Sequence, residues 1–126
     1  MNNVDYNKVI EYRSSRGQIK ASQCYINDLK QMYEDTKDIS LLRLIEAEEK
    51  HCDDLIYRRD KLSFEFLDIL YNTDERIIKH CIMRYVLLGQ SWQQVADSWG
   101  DPNGADALRI RFRRFIDTVE LTIKMI

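Results

Sequence analysis

The stretch Ser91-Trp-Gln-Gln-Val-Ala-Asp-Ser-Trp99 decides the fold, because a glycine stands on each side of it. Gly89 precedes it, Gly100 follows it, and Pro102, the only proline of the chain, comes directly after. Glycine readily adopts the left-handed backbone that ends helices, so the two glycines predict two helix ends. Ser91 with Gln94 forms a capping-box pattern, which predicts that a helix of about two turns begins there.

A last helix is predicted over about residues 103–122, with Asp101-Pro102-Asn103 supplying its cap and first turn. Its apolar residues recur every three or four positions and define the buried stripe: Ala105, Leu108, Phe112, Phe115 and Val119. Four arginines fall between positions 109 and 114 of the same helix. Helix-turn-helix proteins consist of a short helix, a sharp turn and a second helix, and the second helix lies in the major groove of DNA. The predicted short helix and arginine-rich last helix match this arrangement.

The first turns of such a recognition helix come closest to base edges, which selects Asn103, Asp106, Ala107 and Arg109 as candidate base contacts. Asn pairs with adenine, Arg with guanine, and Asp accepts from cytosine. The later arginines, Arg111, Arg113 and Arg114, are the candidate phosphate contacts. The opposite face of the helix is expected to hold Asn103, Asp106, Ile110, Arg113 and Asp117, with Ala107, Arg109, Arg111 and Arg114 on its flanks. The alternative is a solvated face on which arginines pair with Asp106, Asp117 and Glu120.

The N-terminal part contains neither Gly nor Pro from Gln18 to Leu88, which predicts long helices. A weak helix is expected over Val4 to Arg13. A capping-box pattern at Ser15 and Gln18 predicts that a second helix begins there. A first apolar stripe comprises Ile19, Ile26, Leu29 and Tyr33. A polar break is predicted at residues 35–38, and a second apolar stripe follows: Leu41, Ile45, Cys52, Leu55, Leu62, Phe66 and Ile69. An antiparallel helical hairpin buries these stripes economically, whereas the alternative is a coiled coil between subunits.

Asn72 and Glu75 form a further capping pattern, predicting a helix from Asp74 to Leu88. Its apolar face comprises Ile77, Ile78, Cys81, Ile82, Tyr85, Val86 and Leu88. Trp92 and Trp99 lie seven positions apart, share a helix face and are interpreted as core residues. The predicted fold is all-α: residues 1–73 form a long helical hairpin or coiled coil for oligomerisation or partner binding, and residues 74–126 form a trihelical helix-turn-helix head.

Charge is divided unevenly along the 126 residues. Residues 1–75 carry 11 basic and 16 acidic side chains, and residues 76–126 carry 8 basic and 5 acidic. The C-terminal part therefore suits a polyphosphate, and the acidic part suits a protein partner. No stretch is apolar enough to predict a membrane span and the N-terminus has no signal-peptide pattern, so we expect a cytoplasmic protein with three reduced cysteines.

Enzymatic and metal-binding patterns are weak. His51-Cys52 and His80-Cys81 repeat, but adjacent helical residues point about 100° apart, and the chain has no Cys-x-x-Cys or His-x-x-x-His. No phosphate-binding glycine loop, nucleophile elbow or catalytic triad pattern occurs. We therefore expect no enzyme, no catalytic residue, no cofactor and no metal.

The motif resembles region 4 of sigma-70 factors. Val95-Ala96 and Trp99-Gly100 match the first helix and turn, and Leu108, Arg111-Phe112 and Arg114 match the recognition helix. Two features differ: the turn is about two residues longer, and Asp101 replaces the usual aliphatic residue. The match covers about residues 76–122. The overall layout is similar to small phage transcription regulators of the ArpU/RinA type, which implies duplex DNA as ligand, a bacterial host cell and RNA polymerase as a candidate partner.

Three functions remain open from the sequence. The leading one is a sequence-specific duplex-DNA-binding transcription regulator acting as a homo-oligomer, with a dimer favoured. A phage small packaging (terminase) subunit is the second, and a ring of many copies would distinguish it from a dimeric regulator. The third is a helical adaptor or antirepressor that does not bind DNA, for which the acidic N-terminal part is the supporting feature.

Overall fold

The computed structural model describes the backbone of residues 4–125 and the side chains up to residue 119. Five α-helices follow one another: α1 Tyr6–Thr36, α2 Ser40–Asn72, α3 Arg76–Cys81, α4 Trp92–Trp99 and α5 Ala105–Met125. A π-helical segment, Ile82–Leu87, continues α3. No strand occurs between residues 4 and 125, so the described chain is all-helical as predicted. None of these helices is both long and apolar enough to cross a membrane.

Two compact units divide the chain. One, called the head here, comprises Met1–Arg13 with Leu62–Ile126, and the other, called the stalk, comprises Ser14–Lys61. The boundary predicted at residue 73 falls inside the head. The start of α1 and the end of α2 belong to the same unit as α3, α4 and α5, because their apolar residues share one core with them.

The first helix is longer than predicted. It runs without interruption through Ser15 and Gln18, so the capping box expected there is wrong. The Ser15 side chain is buried, and its Oγ accepts a hydrogen bond of 2.7 Å from Nη1 of Arg59 on α2. A serine can serve either as a cap or as a buried acceptor, and tertiary packing decided between the two here.

The break predicted at residues 35–38 is confirmed, since α1 ends at Thr36 and α2 begins at Ser40. Lys37 has a left-handed backbone with φ 54°. Asp38 Oδ1 accepts hydrogen bonds from the backbone N of Ser40 at 3.0 Å and from its Oγ at 2.7 Å. These two bonds lower the pKa of Asp38 and anchor the first turn of α2.

Within the stalk, residues early in α2 pack against residues late in α1. Leu41 and Ile45 form a buried cluster with Leu29, against which Tyr33 packs. Ser22 Oγ donates a 2.7 Å hydrogen bond to Glu48 Oε1. Of the predicted α2 stripe, Leu41, Ile45 and Cys52 are buried in the stalk and Leu55 is half-buried, whereas Leu62, Phe66 and Ile69 belong to the core of the head. The stalk core is thus thin and contains polar pairs as well as apolar ones.

The head has the larger core. Its fully buried residues come from every helix of this unit, with Phe66, Phe112, Ile78, Ile82, Ile116 and Val9 the largest of them. Burying each such side chain contributes roughly 1.5–3 kcal/mol. In the α3 region the predicted apolar face is confirmed from Ile78 to Val86, but Leu88 is 48% exposed, so its assignment to the core is wrong.

The helix predicted from Asp74 begins later and differs in type. The α3 helix starts at Arg76 with Glu75 as its N-cap, and no side chain caps it, so the predicted Asn72 and Glu75 capping pair is wrong. Asn72 Nδ2 instead donates to the Asp68 carbonyl oxygen at 2.9 Å. Beyond Cys81 the helix widens into the π-helical segment, where the backbone N of Leu88 bonds the carbonyl oxygen of Met83.

Candidate nucleic-acid interface

The start of α4 is fixed by the capping box that the sequence predicts. The backbone N of Gln94 donates to Ser91 Oγ at 3.2 Å, and the backbone N of Ser91 donates to Gln94 Oε1 at 2.9 Å. Gly89 has φ 70°, so it takes the predicted left-handed conformation between the π-helical segment and α4. Val95 and Ala96 are completely buried and hold α4 on the head core.

The turn between α4 and α5 is closed by several hydrogen bonds. Gly100 has φ 88° and ends α4, as predicted. The backbone N of Asp101 bonds the Ala96 carbonyl oxygen at 3.1 Å, and that of Gly104 bonds the Asp101 carbonyl oxygen at 3.0 Å. From α4, Gln93 Nε2 donates 2.8 Å to the Pro102 carbonyl oxygen. These bonds set the direction in which α5 leaves the turn.

Asn103 does not lie in the first turn of a helix. The α5 helix begins at Ala105, so the predicted start at residue 103 is wrong, and Asn103 is an exposed turn residue. The reason is the backbone bonding of Gly104, whose N donates to the Asp101 carbonyl oxygen in the turn and whose carbonyl oxygen accepts the first bond of α5 from the backbone N of Leu108. Asn103 stays near the N-terminus of α5, but on irregular backbone.

The other candidate base contacts lie on the exposed side of the first turns of α5. Asp106, Ala107 and Arg109 are all exposed, as is Ile110. Arg109 Nη2 lies 3.6 Å from Asp106 Oδ1, one helical turn away. The buried stripe on the opposite side contains Leu108, Phe112 and Ile116, whereas Phe115 and Val119 are only half-buried. Ile116 was missed in the sequence, although it continues the four-residue steps from Leu108.

The candidate phosphate contacts have three different surroundings. Arg111 Nη2 forms a 2.7 Å ion pair with Oε2 of Glu75, the N-cap of α3. Arg113 lies with its guanidinium carbon 4.0 Å from the ring centroid of Tyr6 and its Nε 3.6 Å from Asp117 Oδ1. Arg114 is exposed, and its side chain has no ion pair within the described residues.

Three of the four arginines therefore lie within 4 Å of a described carboxylate. Two of these pairs involve Asp106 and Asp117, as the solvated-face alternative expects, while the Glu120 side chain lies outside the described residues. Each of these arginine side chains is more than half exposed. Such surface pairs contribute only about 0–1 kcal/mol, so a stronger anion can displace the carboxylates.

The two tryptophans do not share one environment. Trp92 is half-buried and stacks on Tyr85, with ring centroids 4.0 Å apart. Trp99 is 41% exposed, so its assignment to the core is wrong. Its ring packs against His80, with centroids 5.0 Å apart, while His80 Nε2 lies 3.0 Å from the Val95 carbonyl oxygen.

Sequence reasoning also missed the residue that closes the π-helical segment. Arg13 of α1 donates from Nη1 to the carbonyl oxygens of Tyr85 and, at 2.7 Å, of Gln90. A helix end leaves carbonyl groups without helical partners, and Arg13 satisfies that of Tyr85 as well as the Gln90 carbonyl in the linker before α4. No local pattern signals this role, because the partners are more than 70 residues apart.

Between residues 4 and 119, no three His, Cys, Asp or Glu side chains are grouped so that they could hold a metal ion. The three cysteines are free thiols, with Cys24 exposed and Cys52 and Cys81 buried. Burial raises the pKa of Cys81 to about 11, partly opposed by the positive charge of Arg111. Cys81 is thus a neutral core residue at physiological pH.

Comparison with known proteins gives no relative. No protein-family model matches the chain, and neither the curated proteins nor the solved structures contain a match. Functional interpretation therefore depends on the residues themselves.

Proposed function

We propose that the chain is a sequence-specific duplex-DNA-binding transcription regulator whose α5 helix enters the major groove. One observation carries the proposal: a capped α4, a hydrogen-bonded turn and an α5 whose first turns expose Asp106, Ala107 and Arg109. In this interpretation α3, α4 and α5 form a helix-turn-helix unit within the head, and α1 and α2 form a helical hairpin. The resemblance to sigma region 4 supports a positioning role for α4 and a recognition role for α5.

Base recognition would fall to the exposed N-terminal half of α5. The Arg109 guanidinium can donate two hydrogen bonds to guanine, and Asp106, its neighbour at 3.6 Å, can hold it in place or accept from cytosine. Ala107 leaves room for the backbone of α5 to approach a base edge. Asn103, on the turn, would contact adenine or the sugar-phosphate backbone beside it.

Affinity would come mainly from phosphate contacts. Arg114 is exposed and unpaired within the described residues, and Arg111 and Arg113 would exchange their carboxylate partners for phosphates. Each phosphate neutralised releases counterions, so binding should weaken steeply as salt rises. The exposed position of all three side chains is compatible with this exchange.

Selection of duplexes from a random pool, followed by fluorescence anisotropy on the recovered sequence, tests the proposal. Arg109→Ala should relax base preference at one position by about 1–3 kcal/mol. Arg114→Ala should weaken binding to all sequences alike and reduce the salt slope by roughly one. Arg43→Ala, on an exposed arginine of the stalk, is the charge-matched control and should leave both unchanged.

A helical adaptor that does not bind DNA is the second candidate. The observation that favours it is the pairing of Arg109, Arg111 and Arg113 with carboxylates, which lowers the net positive charge that α5 presents. The absence of salt-sensitive binding to any duplex at low ionic strength would decide for the adaptor and against the regulator.

A further inference from the structure

A second cationic surface of the head includes none of the arginines of α5. It is a cleft of about 500 Å³, called the basic cleft here, and it is lined by Leu70, Arg76, Lys79, His80, Met83, Arg84 and Trp99. None of these residues is a proposed DNA contact, although Trp99 belongs to the motif that resembles sigma region 4. Its residues come from the end of α2, from α3 with the π-helical segment, and from the last residue of α4.

The basic cleft holds cations that lack ionic partners. Within the described residues, none of Arg76, Lys79 and Arg84 has a carboxylate within 4 Å, in contrast to Arg109, Arg111 and Arg113. Arg76 and Lys79 are one helical turn apart, where like charges repel. An acidic partner would relieve that repulsion, so the charge of the basic cleft points to an anionic ligand.

The cleft is also apolar, which argues for a protein ligand. Trp99 is 41% exposed and Met83 43% exposed, although both are large apolar side chains. His80 lies in the same cleft and is held in place, because its Nε2 lies 3.0 Å from the Val95 carbonyl oxygen and 3.1 Å from Ser98 Oγ. A phosphate group would bind the cations but would leave Trp99 and Met83 exposed to water. An amphipathic helix with aromatic and acidic residues would cover both the apolar side chains and the cations.

The head itself carries a surface of that kind. Phe64 is 73% exposed and Tyr71 87% exposed on α2, with Leu67 and Asp68 exposed between them. We call these four residues the aromatic ridge. Their spacing of three and four places them on one face of α2. Asp74 follows just after the helix and is exposed as well.

We propose that two copies of the chain associate with the aromatic ridge of each seated in the basic cleft of the other. Asp68 and Asp74 would face Arg76, Lys79 and Arg84, and the rings of Phe64 and Tyr71 would lie against Trp99, Met83 and the cations. A ridge-to-ridge contact would instead bring two Asp68 carboxylates together. Leu70 of the cleft and Tyr71 of the ridge are adjacent in the chain, so the two surfaces are neighbours and one two-fold axis can serve both contacts.

Symmetry doubles the contact surface. A stable interface covers about 800 Å² per partner, and a contact that uses two surfaces of each copy reaches that size more readily than a contact that uses one. In the two-fold arrangement every copy contributes both its ridge and its cleft, so all the exposed apolar side chains named above leave water together. The basic face of α5 takes no part, which leaves it available to the ligand proposed above.

Sedimentation velocity of the full chain, without nucleic acid, tests this directly. The natural sequence should sediment as a dimer at micromolar concentration. Phe64→Ser with Tyr71→Ser should give a monomer. Arg76→Glu with Lys79→Glu, the cleft variant, and Asp68→Lys with Asp74→Lys, the ridge variant, should each weaken the dimer by about tenfold or more. Ile39→Ser, on an exposed stalk residue, is the matched apolar control and should remain dimeric.

The decisive experiment mixes the two charge-reversed variants. A mixed dimer pairs the acidic ridge of the cleft variant with the unaltered basic cleft, and the lysine-bearing ridge with the glutamate-bearing cleft. Association should therefore return in the mixture. Circular dichroism with thermal melting establishes that the variants are folded, and the charge variants alter only exposed residues, so they test the interface even if the serine variant unfolds.

Three results would overturn the proposal. The natural chain could remain monomeric, the mixture could fail to associate while both variants are folded, or the cleft variant could keep the natural mass and lose binding to DNA. The last result would assign the basic cleft to nucleic acid. Because mass is measured without DNA, failure of DNA binding leaves the self-association test unaffected.

Discussion

The guanidinium carbon of Arg13 lies 3.7 Å from the ring centroid of Tyr85, and Arg13 Nη1 donates to the carbonyl oxygen of the same tyrosine. One side chain of α1 thereby stacks on the ring and bonds the backbone of the π-helical segment. Tyr85 in turn stacks on Trp92, the first residue of α4. Arg13 therefore links the N-terminal helix to the element that positions the proposed reading helix.

Replacing Arg13 with Ala should lower the free energy of unfolding by about 2 kcal/mol, because hydrogen bonds from a charged donor contribute roughly 1.5–3 kcal/mol and two carbonyl groups lose their donor. Arg13→Lys should recover little, since an ammonium cannot stack flat on Tyr85 while bonding both carbonyl oxygens. Urea denaturation measures the change. Arg16→Ala, at an exposed position nearby, is the control. Equal losses at positions 13 and 16 would contradict this role.

The ion pair between Glu75 and Arg111 predicts a gain of DNA affinity. In the proposed complex the carboxylate competes with phosphate for the guanidinium, so Glu75→Gln should tighten binding by up to about fivefold at low salt, the value of an exposed ion pair. Anisotropy titration measures it, with Glu46→Gln on the stalk as control. A weaker complex with Glu75→Gln would show that the pair is needed to position α5.

The turn between α4 and α5 predicts a coupled pair of substitutions. Gly104→Ala places a methyl group against the Asp101 carboxylate, and because this exposed side chain can move aside, the substitution should cost about 1 kcal/mol of stability, the low end for overpacking. In an Asp101→Ala background the same change should cost much less. A double-mutant cycle by chemical denaturation measures the coupling. Additive effects would mean that the backbone, and not the Asp101 side chain, restricts position 104.

The three cysteines should react very differently. Exposed Cys24 should be alkylated within minutes at neutral pH, while buried Cys52 and Cys81 should react only after unfolding. Peptide mapping by mass spectrometry after timed alkylation distinguishes them. Cys81→Ser serves as the control for assigning its peptide. Early modification of Cys81 would show that the head opens on the time scale of the reaction.

Stability should also fall at alkaline pH because of Cys81. Its pKa in the folded chain is about 11, above the ordinary value of 9.0, so the folded state keeps the proton that the unfolded chain releases. The stabilisation is complete below pH 9 and is lost as pH rises through 11. Burial shifts the pKa of Tyr85 in the same direction. Melting curves of the natural chain and Cys81→Ala between these values test the difference.

Local signals predicted the head best where they depend on a few neighbouring residues. The capping box of Ser91 and Gln94 and the left-handed glycines 89 and 100 are all confirmed, because a cap or a positive φ is determined within one turn. The same kind of pattern failed at Ser15, where packing recruits the side chain as a buried acceptor. A capping motif is only a prediction until the tertiary partners of its serine are known.

The errors at the proposed site share one cause. The start of α5, the exposure of Trp99 and the pairing of Arg111 with Glu75 all depend on contacts between segments distant in sequence or on irregular backbone. Helical periodicity assigns a face but does not say which other helix covers it. Spacing identified the candidate residues on α5 and the partners Asp106 and Asp117, but it did not identify Glu75, the N-cap of α3, as the partner of Arg111.

The π-helical segment carries one residue more per turn than an ordinary helix would. Deleting one residue from an ordinary α-helix rotates everything downstream by about 100°. Deleting one residue between Ile82 and Leu87 would instead let the wide turn close into regular α-helix, so the direction in which the chain leaves the segment would change far less. The head should therefore tolerate a one-residue deletion here better than in α2 or α5, because the extra residue of the wide turn is the one that is lost.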